Sequence, residues 1–421
     1  MNVRLDYGTE GLEVDLPDER TTVIEPAYPP GAANPLAVLQ GALEAPLGAP
    51  PLSEIVKPHQ RVAISLCDGT RAQPRALMLR ALFDAMPDVR PRDVVLLVAT
   101  GTHRANTETE LRAMFGDAIC DTYRIVNHDA RDRASLRLVG ETPRKVPVWL
   151  NREWTDADVR ITTGFVEPHF FAGFSGGPKM VAPGLAGLDT TMVLHDARHI
   201  GHPKATWGIT EGNPIHDDVR EIARMTGVHF ALDVTLNGDK QITAAFAGEL
   251  FTEHGRACAQ SKKEAMRGVE APFDVVLTTN SGFPLDQNLY QTIKGLSAAA
   301  QIVKPGGVIL CASECRDGLP SHGAYAELLT RRSTPDELIR MVHEAGFSEP
   351  DQWQIQVQAQ IQKRARVAVK TSYLSKEELA AAHFEAVDDV AAAAREALEA
   401  AGPAARLCVL PRGPQTIPYV L

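Results

Sequence analysis

Short, nearly continuous apolar runs alternate with segments of helical periodicity along most of the chain. VAISLCD (62–68) precedes a predicted helix over 73–86, and VVLLVATG (94–101) precedes one over about 106–115. YRIVNHD (123–129) and VRITTGFV (159–166) are further strands, and a helix from about Leu188 carries His195. Apolar strands with helices between them predict a mostly parallel sheet covered on both faces. A charged helical segment, SKKEAMRGVEAP, then leads into FDVVLTTN (273–280), which restarts the series. After it come a helix over about 287–303, a turn at KPGG and the strand VIL. Helices around 335–345 and 350–362, the strand RVAVKT, an Ala-rich amphipathic helix over about 387–401 and a last strand, RLCVLPRG, complete the pattern. The Pro-rich segment 45–58 reads as a linker or surface loop, and no internal repeat is present.

With 421 residues the chain is longer than a single core of about 250–300 residues supports. The expectation is therefore an α/β protein of two domains with mostly parallel sheets, residues 1–270 and 271–421, and an active-site cleft between the domains. The 44% apolar and 23% charged residues are ordinary for a soluble protein, and no apolar run approaches the about 20 residues that span a bilayer. The first residues lack a basic region followed by an apolar one, which speaks against a secretory signal and for the cytoplasm. A net charge of -10 argues against a nucleic-acid or anionic-membrane surface, either of which needs concentrated Lys and Arg. Six cysteines without a CxxC pair read as free thiols in a reducing compartment.

In open α/β sheets, ligands lie at the carboxyl ends of strands. Three motifs fall there: Asp68-Gly69-Thr70-Arg71, Gly101-Thr102-His103-Arg104 and Glu167-Pro168-His169. One alone would be a solvated loop, but three successive strands aim polar groups at one rim. Arg71 can hold a carboxylate by two parallel hydrogen bonds, with Asp68 to orient it or to bond a sugar hydroxyl. His103 and His169 are the candidate general acid/base pair, since two imidazoles near neutral pKa can serve opposite faces of a planar intermediate.

The stretch from Gly164 to His195 gathers His169, Lys179, His195 and a cluster of glycines. Glycines at 173, 176 and 177, with the Ser175 hydroxyl, can cradle a phosphate. The Walker pattern fails, because Pro178 precedes Lys179 and Met180 follows it. His195, His199 and His202 suggest a metal pair on one helical face. No HExxH is present, however, and Asp196 and Glu211 are the only nearby acids, which argues against a zinc hydrolase. In the second half, PLDQNLYQTIKGLSAAA puts Tyr290 and Lys294 on one helical face with Gln291 alongside.

In combination, DGTR, GTHR, PHFFAGFSGGPK, a histidine sixteen residues beyond that lysine, and LYQTIKG resemble the nickel-pincer lactate racemase family over nearly the whole chain. The resemblance implies nickel and a pyridinium-3,5-bisthiocarboxylic acid mononucleotide tethered to Lys179, with His195 as the nickel ligand. A square-planar site of sulfur and imidazole suits Ni(II). It further implies His103 and His169 as catalytic residues, and Arg71, Lys294, Tyr290 and Gln291 around the substrate. Asp68, Ser175, Gly176 and Trp353 would contact the cofactor. The implied reaction is racemisation or epimerisation of a 2-hydroxy acid by transient hydride transfer through a 2-keto acid, the substrate being lactate, a longer aliphatic or aromatic acid, malate or a sugar acid. Cofactor-biosynthesis proteins are the implied partners. Two other readings stand beside it: a non-catalytic carrier of nickel or cofactor, and an NAD-dependent 2-hydroxy acid dehydrogenase, although no GxGxxG follows a strand.

Overall fold

Six consecutive buried residues, Val62–Cys67, form the first strand of a six-stranded sheet. The computed structural model describes residues 1–320 and 323–421. Val62, Ile64 and Leu66 pack into one apolar cluster with Leu39, Leu79, Leu82 and Phe115, while Ala63 joins Trp154, Leu194, Val219 and Ile222 in another. Strand residues alternate between faces, so two helical layers need two apolar sets. Burying a side chain such as Ile64 contributes about 1.5–3 kcal/mol.

The sheet order is Ile242–Gly248, Phe230–Leu236, Val159–Phe165, Val62–Cys67, Val94–Ala99, Arg124–Asn127. All neighbours are parallel except the first pair. From Val62–Cys67 the chain runs outward to one side, then returns to add Val159–Phe165 on the other. The order thus reverses between these two strands, and that is where an open sheet leaves a crevice at its carboxyl edge.

A second six-stranded sheet is parallel throughout, in the order Glu385–Ala386, Arg366–Lys370, Val303–Ala312, Phe273–Thr279, Leu407–Leu410, Thr21–Val23. The hairpin of Asn2–Leu5 and Leu12–Asp15 and the helix Val390–Ala401 cover one face, where Leu5, Val14, Leu277, Ala394 and Leu407 share a core.

Long-range pairing, not chain order, defines the two compact units. One comprises residues 28–194 and 204–264; the other comprises 1–27, 195–203 and 265–421. The first 27 residues join the second unit because Thr21–Val23 extends its sheet beside Leu407–Leu410. KPGG is not a turn: it lies inside Val303–Ala312, where a register shift and Gly306 at φ 77° accommodate it within the strand. The helix before residue 270 ends at Ala265, and Met266–Val269 is instead a strand paired with Ile417–Val420. Residues 45–58 include the one-turn helix Leu52–Ile55. All six cysteines are free thiols. Among the described residues, no helix is long and apolar enough to cross a membrane.

Candidate active site

The turn after Val62–Cys67 is built around two buried ionic side chains. Asp68 is 4% exposed; its carboxylate accepts from the Thr70 hydroxyl at 2.7 Å and meets Nδ1 of His103 at 2.8 Å. Burial favours the neutral acid, yet the bonds from His103 and Thr70 and the charge of Arg71 outweigh it and lower the Asp68 pKa. A carboxylate can only accept, so Nδ1 of His103 carries the proton and Nε2 of the neutral ring is the basic nitrogen. The His103 ring is 56% exposed, leaving that nitrogen accessible.

Arg75, at the start of the helix Arg75–Asp84, is the second buried ion and was not apparent as a site residue. Its guanidinium donates to the carbonyls of Cys67, Asp68, Arg71 and Gln73, so one side chain holds the backbone of the whole turn. A basic residue at a helix N-terminus opposes the helix dipole, which was the available signal. Arg71 pairs with Glu167 at 3.2 Å, linking the loops after Val62–Cys67 and Val159–Phe165.

His169 sits in a tight turn where its Nδ1 accepts from the backbone N–H groups of Ala172 (3.2 Å) and Phe171 (3.4 Å). Its neutral ring therefore carries the proton on Nε2, the opposite tautomer to His103. Phe170 and Phe171 pack against the ring.

The glycines of the following loop let the protein approach itself. A Cβ on Gly173 would lie 2.3 Å from the Ile209 carbonyl, on Gly176 2.8 Å from Val166, and on Gly177 2.4 Å from the His254 ring. The Ser175 hydroxyl accepts from Glu167 N and donates to the Phe165 carbonyl, so it is engaged within the loop rather than turned outward. His254 Nε2 donates to the Ser175 carbonyl at 2.9 Å. Asp233, fully buried on Phe230–Leu236, accepts from Gly177 N at 2.7 Å, and Gly164 N also favours its charged form. Burial outweighs both and pushes its carboxyl up to about 7, and the neighbouring buried Glu253 is pushed up as well. Neither acid was apparent as part of the site, although an acid within the apolar run FALDVTL was a visible anomaly. The loop closes in the short 3-10 helix Gly177–Met180, which bears half-buried Lys179 with its Nζ 5.9 Å from the Phe171 ring centre.

The remaining candidates lie on the unit containing 195–203. His195 is 7% exposed and its ring centre is 5.0 Å from that of Trp353. Trp353 Nε1 donates to the Tyr290 hydroxyl at 3.1 Å. Asp196 caps the helix Ala197–Ile200 and bonds His199 Nδ1 at 2.8 Å. Burial opposes its ionisation, but the His199 bonds prevail and hold it at about 2. His199 is thereby committed to a carboxylate while His202 is exposed. Among the described residues, no three His, Cys, Asp or Glu side chains are arranged to hold a metal ion. Tyr290, Gln291 and Lys294 occupy the helix Leu289–Ala300, which Asn288 caps by accepting from Gln291 N. Burial raises the Tyr290 pKa, so its hydroxyl stays protonated.

Residues 7–208 match the family model described as the lactate racemase N-terminal domain, and 269–417 match the lactate racemase C-terminal domain. The lactate racemase of Thermoanaerobacterium thermosaccharolyticum is 34% identical over 376 residues, 88% of each chain. That of Lactiplantibacillus plantarum is 34% identical over 352 residues, 82% of each chain. The solved lactate racemase apoprotein from T. thermosaccharolyticum superposes with a TM-score of 0.91 at 31% identity, covering 99% of this chain and 100% of that one. A Thermotoga maritima protein shares the fold at a TM-score of 0.70 and 17% identity, covering 94% and 100%.

Proposed function

The chain belongs to the lactate racemase family, and from that premise we propose that it racemises lactate or a closely related 2-hydroxy acid with a nickel-pincer nucleotide. The observation that carries the reading is His103 held at 2.8 Å by buried Asp68 on the rim of a sheet whose strand order reverses there. A carrier protein would have no use for an oriented base.

The donor set fits the cofactor. One buried imidazole, His195, is paired with an aromatic plane, which suits a metal whose other ligands come from the group itself. Lys179 would tether the nucleotide, and the loop at Ser175 and Gly176 would lie beside its phosphate. When bound, the group would supply an electron-poor ring that takes up the substrate's α-hydride and returns it.

The chain's own residues bind, orient and move the proton. Arg71 and Lys294 would fix the substrate carboxylate. The Arg71–Glu167 pair is 35% and 43% exposed, and such pairs contribute only about 0–1 kcal/mol, so a substrate carboxylate can take over the guanidinium. His103, with Nδ1–H committed to Asp68, takes the hydroxyl proton at Nε2. His169 serves the oxygen on the opposite face, and Tyr290 and Gln291 complete the surroundings of the substrate.

The test is racemisation of L-lactate followed by chiral chromatography, with enzyme produced alongside the cofactor-building proteins. His103→Ala and His169→Ala should each abolish turnover while leaving nickel bound and the mass added at Lys179 intact. Turnover retained in both variants would refute the proposal. Reduction of added NAD by the unmodified protein would favour a dehydrogenase instead.

A further inference from the structure

The helix Gln352–Arg364 reads QWQIQVQAQIQKR, with glutamine at every second position up to 362. Such residues are roughly 200° apart around the axis, so amides point in several directions and the helix has no simple polar face. Gln352, Gln354, Gln356 and Gln358 are nevertheless at most 1% exposed. A buried amide is costly unless bonded, and each of these donates to a backbone carbonyl on a neighbouring element. Gln352 donates to His195 O at 3.3 Å, Gln354 to Tyr290 O at 2.5 Å, Gln356 to Ala197 O at 2.9 Å and Gln358 to Ala382 O at 2.8 Å.

Three of those four carbonyls belong to the stretch around His195 or to Tyr290. Among the described residues, the oxygens of Gln354 and Gln356 are buried without a hydrogen-bond partner, so it is the donor end of these two amides that the packing satisfies. The approach is close: a Cβ on Gly201 would lie 2.9 Å from Nε2 of Gln356. Between these amides, Trp353 lies against the His195 ring and bonds Tyr290.

We propose that Gln352 and Gln356 are positioning residues for His195. Their amides grip the main chain at 195 and 197, on both sides of Asp196, so that the imidazole keeps its place beside Trp353. The inference rests on the reading of His195 as the nickel ligand. It assigns support of the metal site to side-chain amides acting through the ligand's own backbone, whereas metal-bound histidines are more often steered through their other ring nitrogen.

The experiment uses nickel-loaded protein and compares Gln352→Met, Gln356→Met, the double variant, His195→Ala and, as a matched control, Gln362→Met. Methionine keeps the volume and removes the donor. Gln362 makes the same kind of bond, to His383 O at 2.9 Å, on the same helix but to a distant element. Nickel content, the rate of nickel loss to a chelator, kcat, KM and the thermal midpoint of each are measured. Loss of an outer-sphere partner lowers metal affinity or activity by about 10- to 100-fold. We expect faster nickel loss and lower kcat of that size in the Gln352 and Gln356 variants, with KM near wild type, whereas the control loses thermal stability alone. Should the double variant fail to fold, the single variants decide. Nickel loss at the wild-type rate in the Gln352 and Gln356 variants, or equally fast loss from Gln362→Met, would overturn the inference while leaving the reading of His195 intact. Nickel retained by His195→Ala would instead overturn that reading, and the inference with it.

Discussion

Asp233→Asn tests whether the acid beneath the glycine loop is a source of strain that depends on pH. Asp233 is fully buried, one carboxylate oxygen accepts from Gly177 N at 2.7 Å, and among the described residues the other makes no hydrogen bond of normal geometry. Burial lifts its pKa from 3.8 to about 7. Because the folded state holds this proton more tightly than the unfolded one, the stability Asp233 contributes is fully present below pH 3.8. It is lost progressively as the pH rises to about 7. A window of about three pH units at 1.36 kcal/mol each amounts to about 4 kcal/mol, of which about 3 kcal/mol falls between about pH 5 and 7. Asparagine keeps an oxygen for Gly177 N and places an uncharged amide where the other oxygen was. Urea unfolding of both proteins at about pH 5, 6, 7 and 8 should therefore show the variant gaining about 3 kcal/mol on the wild type across the series. Parallel profiles for the two proteins would refute the reasoning.

Arg75→Met should cost about 2–3 kcal/mol in urea unfolding, since it removes a charged donor from four carbonyls of the turn, of which those of Asp68 and Gln73 keep one backbone N–H each, and kcat should fall as the turn loosens. Wild-type values in both assays would rule out the brace. Gly177→Ala, with φ at 49° and a Cβ 2.4 Å from the His254 ring, should be destabilised by about 2–3 kcal/mol, measured by thermal melting and partly relieved by His254→Ala. No recovery in the double variant would mean that backbone conformation, not the ring, sets the penalty. Asp68→Asn should lower kcat on the order of 100-fold with little change in KM, because the His103 tautomer is no longer fixed; unchanged kcat would remove Asp68 as the orienting group.

Much of the alternation of strands and helices was legible because strands buried on both faces read as unbroken apolar runs. Val62–Cys67, Val94–Ala99 and Phe273–Thr279 lie where those runs place them. The short pieces were not legible: Thr21–Val23 has three residues, and only its pairing with Leu407–Leu410 makes it a strand. KPGG misleads for the converse reason, since a register shift absorbs turn-forming residues without ending the strand. Among the candidate site residues, the motifs single out Asp68, His103 and His169, which lie at strand ends. Arg75, Asp233, Gln352 and Gln356 stayed hidden because their partners are main-chain atoms, and a carbonyl or N–H leaves no trace in the letters of a sequence.

The assembly of one unit from residues 1–27, 195–203 and 265–421 has a consequence for dissecting this protein. A fragment starting at 265 would expose the flank of Leu407–Leu410 where Thr21–Val23 now pairs, and bare sheet margins invite self-association. It would also leave the amides of Gln352 and Gln356 without the carbonyls they serve. Cutting the gene before residue 265 therefore yields a sticky C-terminal fragment, and autonomy for this unit calls for a circularly rearranged chain that carries the nine residues 195–203 with it.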